Sequence, residues 1–217
     1  LKNIDTVIFD LDGTLLNTLE DLADSVNYSL NQSGYQDRPL EEIRSFIGNG
    51  LGRLIELCLP NGKDNPHYEK CIADFRSHYY GNMQNKTKPY DGIVDLLKQL
   101  SQRNFKMAVV SNKFDLAAKK LTRDYFGNYI NVAIGDSENI ARKPAPDSVF
   151  KALEELGSTA DKAIYLGDSE VDIETACNSG LISVGAAWGF KGRAFLEANG
   201  ADYIIDQPEE LLKLIAT

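Results

Sequence analysis

The chain has 217 residues, of which 43 % are apolar and 25 % charged, and a formal net charge of −9. Those proportions are ordinary for a globular protein and exclude a fibrous repeat or a disordered chain, and no apolar run approaches the roughly 18 residues of a membrane span. Nucleic acid is not an expected partner either, because its binders cluster Lys and Arg against phosphates, whereas the longest basic stretch here is Lys119-Lys120 with Arg123 close behind.

The first residues, Leu1-Lys2-Asn3-Ile4-Asp5, lead at once into an apolar strand-like run, Thr6–Phe9, without the layout of a signal peptide. From about Asn17 to Lys86 the pattern is helical. Leu19, Leu22, Ala23, Val26 and Leu30 form one stripe, Leu51, Leu54, Ile55 and Cys58 a second, and Phe75 with Tyr79 suggests a third. A crossover between parallel strands needs only about a dozen residues, so a segment this long predicts an inserted helical subdomain. Strand-like runs then return at Met107–Val110, Val132–Ile134, Ala163–Leu166, Ile182–Val184 and Tyr203–Ile205. Helical stripes separate them, such as Ile93, Leu96, Leu97, Leu100 and Val149, Phe150, Leu153, Leu156. Apolar strands alternating with helices predict an α/β fold, a doubly wound parallel sheet covered on both faces. The expected division is a core of residues 1–16 and 87–217 with an α-helical cap of residues 17–86. Strand one should lie at the centre, between the strands ending at Ser111 and Gly167.

Chemistry-bearing residues gather after the strands. Asp10-Leu11-Asp12-Gly13-Thr14 follows the first, at the carboxyl edge where such sheets bind ligands. Alternation would turn Asp10 and Asp12 the same way, and two carboxylates in one place need a cation or a proton between them. A D-x-D-G-T match arises by chance in on the order of 1 in 400 chains of this length. Ser111-Asn112-Lys113 closes the second strand with groups suited to an anion. In Lys143-Pro144-Ala145-Pro146 the prolines hold a lysine on a stiff turn. Gly167-Asp168-Ser169-Glu170-Val171-Asp172 adds a second acidic pair, for which Mg²⁺, a hard cation that shares its site with phosphate, is the natural partner.

Taken in order, these four segments resemble the motifs of the haloacid dehalogenase-like hydrolases, in particular the helical-cap phosphatases of the phosphoglycolate phosphatase branch. The resemblance covers nearly the whole chain. It implies that Asp10 is the nucleophile and forms an aspartyl-phosphate, and that Asp12 is the general acid and base. It implies Mg²⁺ held by the side chains of Asp10 and Asp168 and the backbone carbonyl of Asp12, with Asp172 behind them. Ser111, Asn112 and Lys143 would bind the phosphoryl oxygens. The expected substrate is a small phosphorylated metabolite, 2-phosphoglycolate first. The presence of Asp12 argues against the dehalogenase and phosphonatase branches.

A sugar phosphomutase of the β-phosphoglucomutase type shares the cap and the four motifs and is the alternative, though related mutases often carry Glu-Asp where Gly167-Asp168 stands. A non-catalytic binding module is a more distant alternative, since it would be expected to have lost one of these residues. In the helical segment, the glycine-rich stretch Ile47–Arg53 offers Gly50 and Arg53 as substrate contacts, against a plain helix–helix turn. His67 and His78 lie off any metal spacing and read as surface or packing residues; for Trp188 and Phe190, after the fifth strand, the choice is between bordering the site and packing under a loop, the latter favoured. With Cys58, Cys71 and Cys177 too few and too scattered for a disulfide framework, the expected location is the cytoplasm.

Overall fold

The computed structural model describes residues 1–215. The chain divides into two compact units, Leu1–Leu16 together with the chain from Pro89 onward, and Asn17–Lys88. It starts with β1 (Thr6–Phe9) and the short β2 (Leu16–Asn17), then four helices, α1 (Leu19–Asn31), α2 (Leu40–Phe46), α3 (Gly50–Cys58) and α4 (Tyr68–Asn82). After the short β3 (Lys88–Pro89) come α5 (Ile93–Gln102), β4 (Lys106–Phe114), α6 (Asp115–Phe126), β5 (Val132–Asp136) and α7 (Asp147–Leu156). The chain ends with β6 (Ala163–Gly167), α8 (Glu170–Ser179), β7 (Ile182–Ala186), α9 (Arg193–Ala198), β8 (Tyr203–Ile205) and α10 (Glu210–Leu214).

In the first unit six strands form one sheet in the order β5-β4-β1-β6-β7-β8. All neighbours run parallel. The reason lies in β1: Thr6, Val7, Ile8 and Phe9 are all buried, so both faces of the strand must be covered, which only crossover helices achieve. On one face Ile8, Ala108, Val110 and Tyr165 pack with Val149, Ala152 and Leu153 of α7 and Ala176 of α8. Each large side chain so buried contributes roughly 1.5–3 kcal/mol. The order places β1 between β4 and β6, so their carboxyl ends meet.

Two local expectations are corrected. The second strand does not stop at Ser111; β4 runs on to Phe114, because its register with β5 shifts between Val110 and Phe114 and pairing resumes at Phe114–Asp136. A bulge of this kind keeps polar residues inside a strand. Phe150, placed on the buried stripe of α7, is 49 % exposed; the neighbouring Val149 takes the core position.

The second unit is helical. Leu22, Val26 and Leu30 of α1 are buried, as are Cys71, Phe75 and Tyr79 of α4. Phe75 stacks on Tyr79 with ring centroids 5.3 Å apart. His78 stacks on Tyr28 and shares a 2.9 Å hydrogen bond with Ser25, while His67 lies 3.2 Å from the Tyr35 hydroxyl. No helix of the described residues is long and apolar enough to cross a membrane.

Candidate active site

The first unit gathers its charges where β1, β4 and β6 end. The backbone N–H of Asp10 donates to the Leu166 carbonyl at 2.9 Å, which continues the β1–β6 pairing by one residue and fixes where the Asp10 side chain begins. The chain then turns tightly, the N–H groups of Thr14, Leu15 and Leu16 all pointing at the Leu11 carbonyl. Gly13 is required there twice over. Its φ is +85°, and a Cβ would collide with the carboxylate of Asp168.

From β6 come Asp168 and, one turn into α8, Asp172. Asp168 Oδ2 accepts the backbone N–H of Phe190 at 2.6 Å. Asp172 Oδ2 accepts three hydrogen bonds, from the N–H groups of Asp168 (3.1 Å) and Ser169 (3.0 Å) and from the Ser169 hydroxyl (2.7 Å). Part of that is the capping box of α8. Asp172 therefore also has a local structural duty.

Two buried lysines face these acids. Lys143, whose peptide bond to Pro144 is cis, donates from Nζ to Asp10 Oδ1 at 2.9 Å, to Asp172 Oδ1 at 2.8 Å and to the Tyr165 hydroxyl at 2.8 Å. Lys113 donates to both oxygens of Asp12, at 2.9 and 3.0 Å. Four carboxylates thus meet two ammonium groups, so formally two negative charges are uncompensated.

That excess has electrostatic consequences. Burial, aided by Asp172 and Asp12 against the opposing pull of Lys143, pushes the Asp10 carboxyl up to about 7. Burial next to Asp172 and Asp10 holds Asp168 well above the usual carboxylate range. For Lys143, burial works against the charge, but Asp10 and Asp172 prevail and keep it an ammonium. A divalent cation fits this set. Ligand oxygens of Asp10, Asp168 and Asp172 lie within 4.8 Å of one another. Both oxygens of Asp172 are already engaged, whereas Asp10 Oδ2 and Asp168 Oδ1 accept no hydrogen bond from the described residues. Those two hard, buried oxygens suit a hard cation.

The residues singled out from the sequence fall into three groups. Asp10, Lys143, Asp168 and Asp172 meet in one network. The carboxylate of Asp12 lies outside the three-aspartate cluster and pairs with Lys113 instead. Asp12 is nonetheless near enough to help raise the Asp10 carboxyl, although β1 ends at Phe9 and a turn intervenes. Ser111 and Asn112 are buried in β4 nearby. Ser111 Oγ accepts the Lys113 N–H at 3.3 Å, and the Asn112 amide donates to the Lys143 carbonyl at 3.1 Å. Gly50 and Arg53 belong to α3 of the second unit, where Arg53 pairs with Glu56 at 3.0 Å.

Three further contributors stand beside these residues. Lys113 ends the Ser111-Asn112-Lys113 segment, and counting acids against bases at the strand ends points to a second lysine. Tyr165 lies in an apolar strand run, and the only hint was that a buried tyrosine needs a partner for its hydroxyl. The Trp188–Phe190 loop, read as packing, also binds polar groups: the Phe190 N–H holds Asp168, and the Trp188 indole donates to the Thr14 carbonyl at 3.0 Å.

Comparison with known proteins bears on the same segments. Residues 7–186 match the family of haloacid dehalogenase-like hydrolases. A phosphoglycolate phosphatase of Aquifex aeolicus (strain VF5) is 33 % identical over 210 residues, covering 96 % of this chain and 95 % of that relative. The pyrophosphatase PpaX of Bacillus mycoides (strain KBAB4) is 30 % identical over 217 residues, covering 98 % and 97 %. A crystal structure of a protein from Lactobacillus delbrueckii subsp. bulgaricus has a TM-score of 0.92 at 34 % identity, covering 99 % of this chain and 100 % of that one.

Proposed function

The chain belongs to the haloacid dehalogenase-like hydrolase family, and from that premise we propose that it is a Mg²⁺-dependent phosphatase of small phosphomonoesters, 2-phosphoglycolate being the first candidate. The observation that carries this reading is the buried network of Asp10, Asp168, Asp172 and Lys143 at the meeting ends of β1 and β6. Its excess negative charge would be a liability in a protein without a cation and a phosphate to receive.

Asp10 attacks phosphorus through Oδ1, leaving Oδ2 for the cation, and the bond to the leaving oxygen breaks, giving an aspartyl-phosphate. Asp12 gives its proton to the departing alkoxide, then takes one from the water that attacks the phosphorus of the intermediate and frees Asp10. The Lys143 ammonium, with Ser111 and Asn112, receives the phosphoryl oxygens, where positioning and charge neutralisation supply most of the rate. Asp10 and Asp168, with the backbone carbonyl of Asp12, would hold Mg²⁺, which when bound neutralises phosphoryl charge. In the second unit, Arg53 and Gly50 are proposed to recognise a second anionic group of the substrate.

Inorganic pyrophosphate is the second reading, favoured by the likeness to the Bacillus pyrophosphatase. Phosphoglycolate and pyrophosphate share a phosphoryl group close to another anion. Three free thiols, Cys58, Cys71 and Cys177, suit the reducing cytoplasm we propose as the setting. The test is phosphate release from phosphoglycolate, pyrophosphate, glucose 1-phosphate and p-nitrophenyl phosphate, ranked by kcat/KM. Release that needs Mg²⁺ and stops with EDTA is expected. Isomerisation of glucose 1-phosphate in place of hydrolysis would favour the mutase, and no turnover of any ester would sink the phosphatase reading.

A further inference from the structure

An ammonium has three protons and a phenol has one, and in this network all four are assigned. The Tyr165 hydroxyl lies 2.8 Å from the Val110 carbonyl, which can only accept, so the phenolic proton goes there. The lone pair left on Tyr165 then takes a proton of Lys143 Nζ at 2.8 Å. Asp10 Oδ1 and Asp172 Oδ1 take the other two. Lys143 therefore has no N–H left for a phosphoryl oxygen unless one of its three partners lets go.

Which one lets go follows from the surroundings. Asp172 is pinned by three further hydrogen bonds to Oδ2. Tyr165 is pinned by Val110, its ring is 1 % exposed in the core between β1 and α7, and burial keeps the phenol protonated despite the lysine beside it. Asp10 alone has an unoccupied oxygen and, on the phosphatase reading, becomes esterified. We propose that Tyr165 is a positioning residue for Lys143. Together with Asp172 it anchors two N–H bonds, so that the third, aimed at Asp10 Oδ1, passes to a phosphoryl oxygen as Asp10 takes up the phosphorus. No bond to phosphorus involves Tyr165, and its hydroxyl keeps its proton throughout, donated to the Val110 carbonyl. This assignment rests on the phosphatase reading for its catalytic meaning, while the anchoring itself does not.

Tyr165→Phe removes the hydroxyl and keeps the ring. With the Mg²⁺-loaded enzyme, kcat/KM should fall about tenfold, the scale of a hydrogen bond to a charged group. The loss should be the same for p-nitrophenyl phosphate as for an alkyl phosphate, because the phosphoryl group rather than the leaving group is affected. Orthovanadate binding, followed by calorimetry, should weaken by the same factor in Tyr165→Phe and not at all when Lys143→Met is already present. An unchanged Tyr165→Phe enzyme, or an equal loss on top of Lys143→Met, would overturn the proposal.

If Lys143→Met does not fold, NMR of ¹⁵N-lysine protein replaces it. A buried, three-bonded ammonium should give a slowly exchanging resonance, absent from Lys143→Arg, that exchanges faster in Tyr165→Phe. The same exchange rate in both would also overturn the proposal. Should the wild-type protein turn over no ester while Tyr165→Phe still speeds that exchange, the phosphatase reading fails and the anchor stands.

Discussion

Among the described residues the buried ion pairs lie in the first unit, and those of the second unit are exposed. In the first, Asp10, Asp168, Asp172, Lys113 and Lys143 are all under 8 % exposed and bonded across long stretches of sequence. In the second, the pairs Arg38–Glu42, Arg53–Glu56 and Lys70–Asp74 lie three or four residues apart, the last two on single helices, with side chains 24–51 % exposed. Exposed pairs of that kind are worth about 0.2–1 kcal/mol and can change without consequence for the fold. Buried ones are retained at a desolvation cost that stability alone does not explain. The contrast locates the chemistry in the first unit before any residue is given a role.

Substitutions should follow that contrast in size. Asp10→Asn removes the proposed nucleophile, and kcat should fall on the order of 10⁴-fold or more, measured by phosphate release. Asp12→Asn keeps shape and backbone carbonyl but has no proton to give. An alkyl phosphate should lose about 10²–10⁴-fold in rate, and p-nitrophenyl phosphate, with a better leaving group, distinctly less. Equal losses on the two would make Asp12 a structural partner of Lys113.

Proton and cation should compete for the same oxygens. The Asp10 carboxyl is raised from 3.8 to about 7 by burial foremost. A folded-state value above the unfolded one stabilises the protein fully below 3.8 and ceases to as pH passes through about 7. Asp168 acts in the same direction. The melting temperature of the metal-free protein should therefore drop between pH 5 and pH 8, and saturating Mg²⁺ should remove the drop, with tighter Mg²⁺ binding at the higher pH. A flat profile without metal would mean that the excess charge is compensated by other means.

The smallest change belongs to the second unit. Arg53→Ala breaks an exposed ion pair and should alter stability by only about 0.2–1 kcal/mol in a denaturant titration. The substrate role proposed for Arg53 adds a raised KM for phosphoglycolate but not for p-nitrophenyl phosphate. A large loss of stability would show that the second unit also depends on particular charges.

What the sequence showed and what it hid divide along physical lines. Strands β1 and β6 were visible as apolar runs, each followed at once by an acid, because a strand buried on both faces has no other way to read. The end of β4 was misplaced because Ser111-Asn112-Lys113 looks like a loop, and the bulge that keeps it in the strand depends on pairing with β5. Lys113 meets Asp12 across 101 residues, and Tyr165 meets Lys143 across 22. Periodicity carries no information at such separations. Phe190 acts through a backbone N–H, which any residue other than proline has, so its side chain held no clue.

The double displacement at Asp10 can be read from the stereochemistry at phosphorus. A phosphorothioate monoester made chiral with ¹⁶O and ¹⁸O, hydrolysed in ¹⁷O-water, yields chiral inorganic thiophosphate. Two successive in-line attacks, first by Asp10 and then by water, should give net retention. Net inversion would mean that water attacks the ester directly and that Asp10 is not the nucleophile.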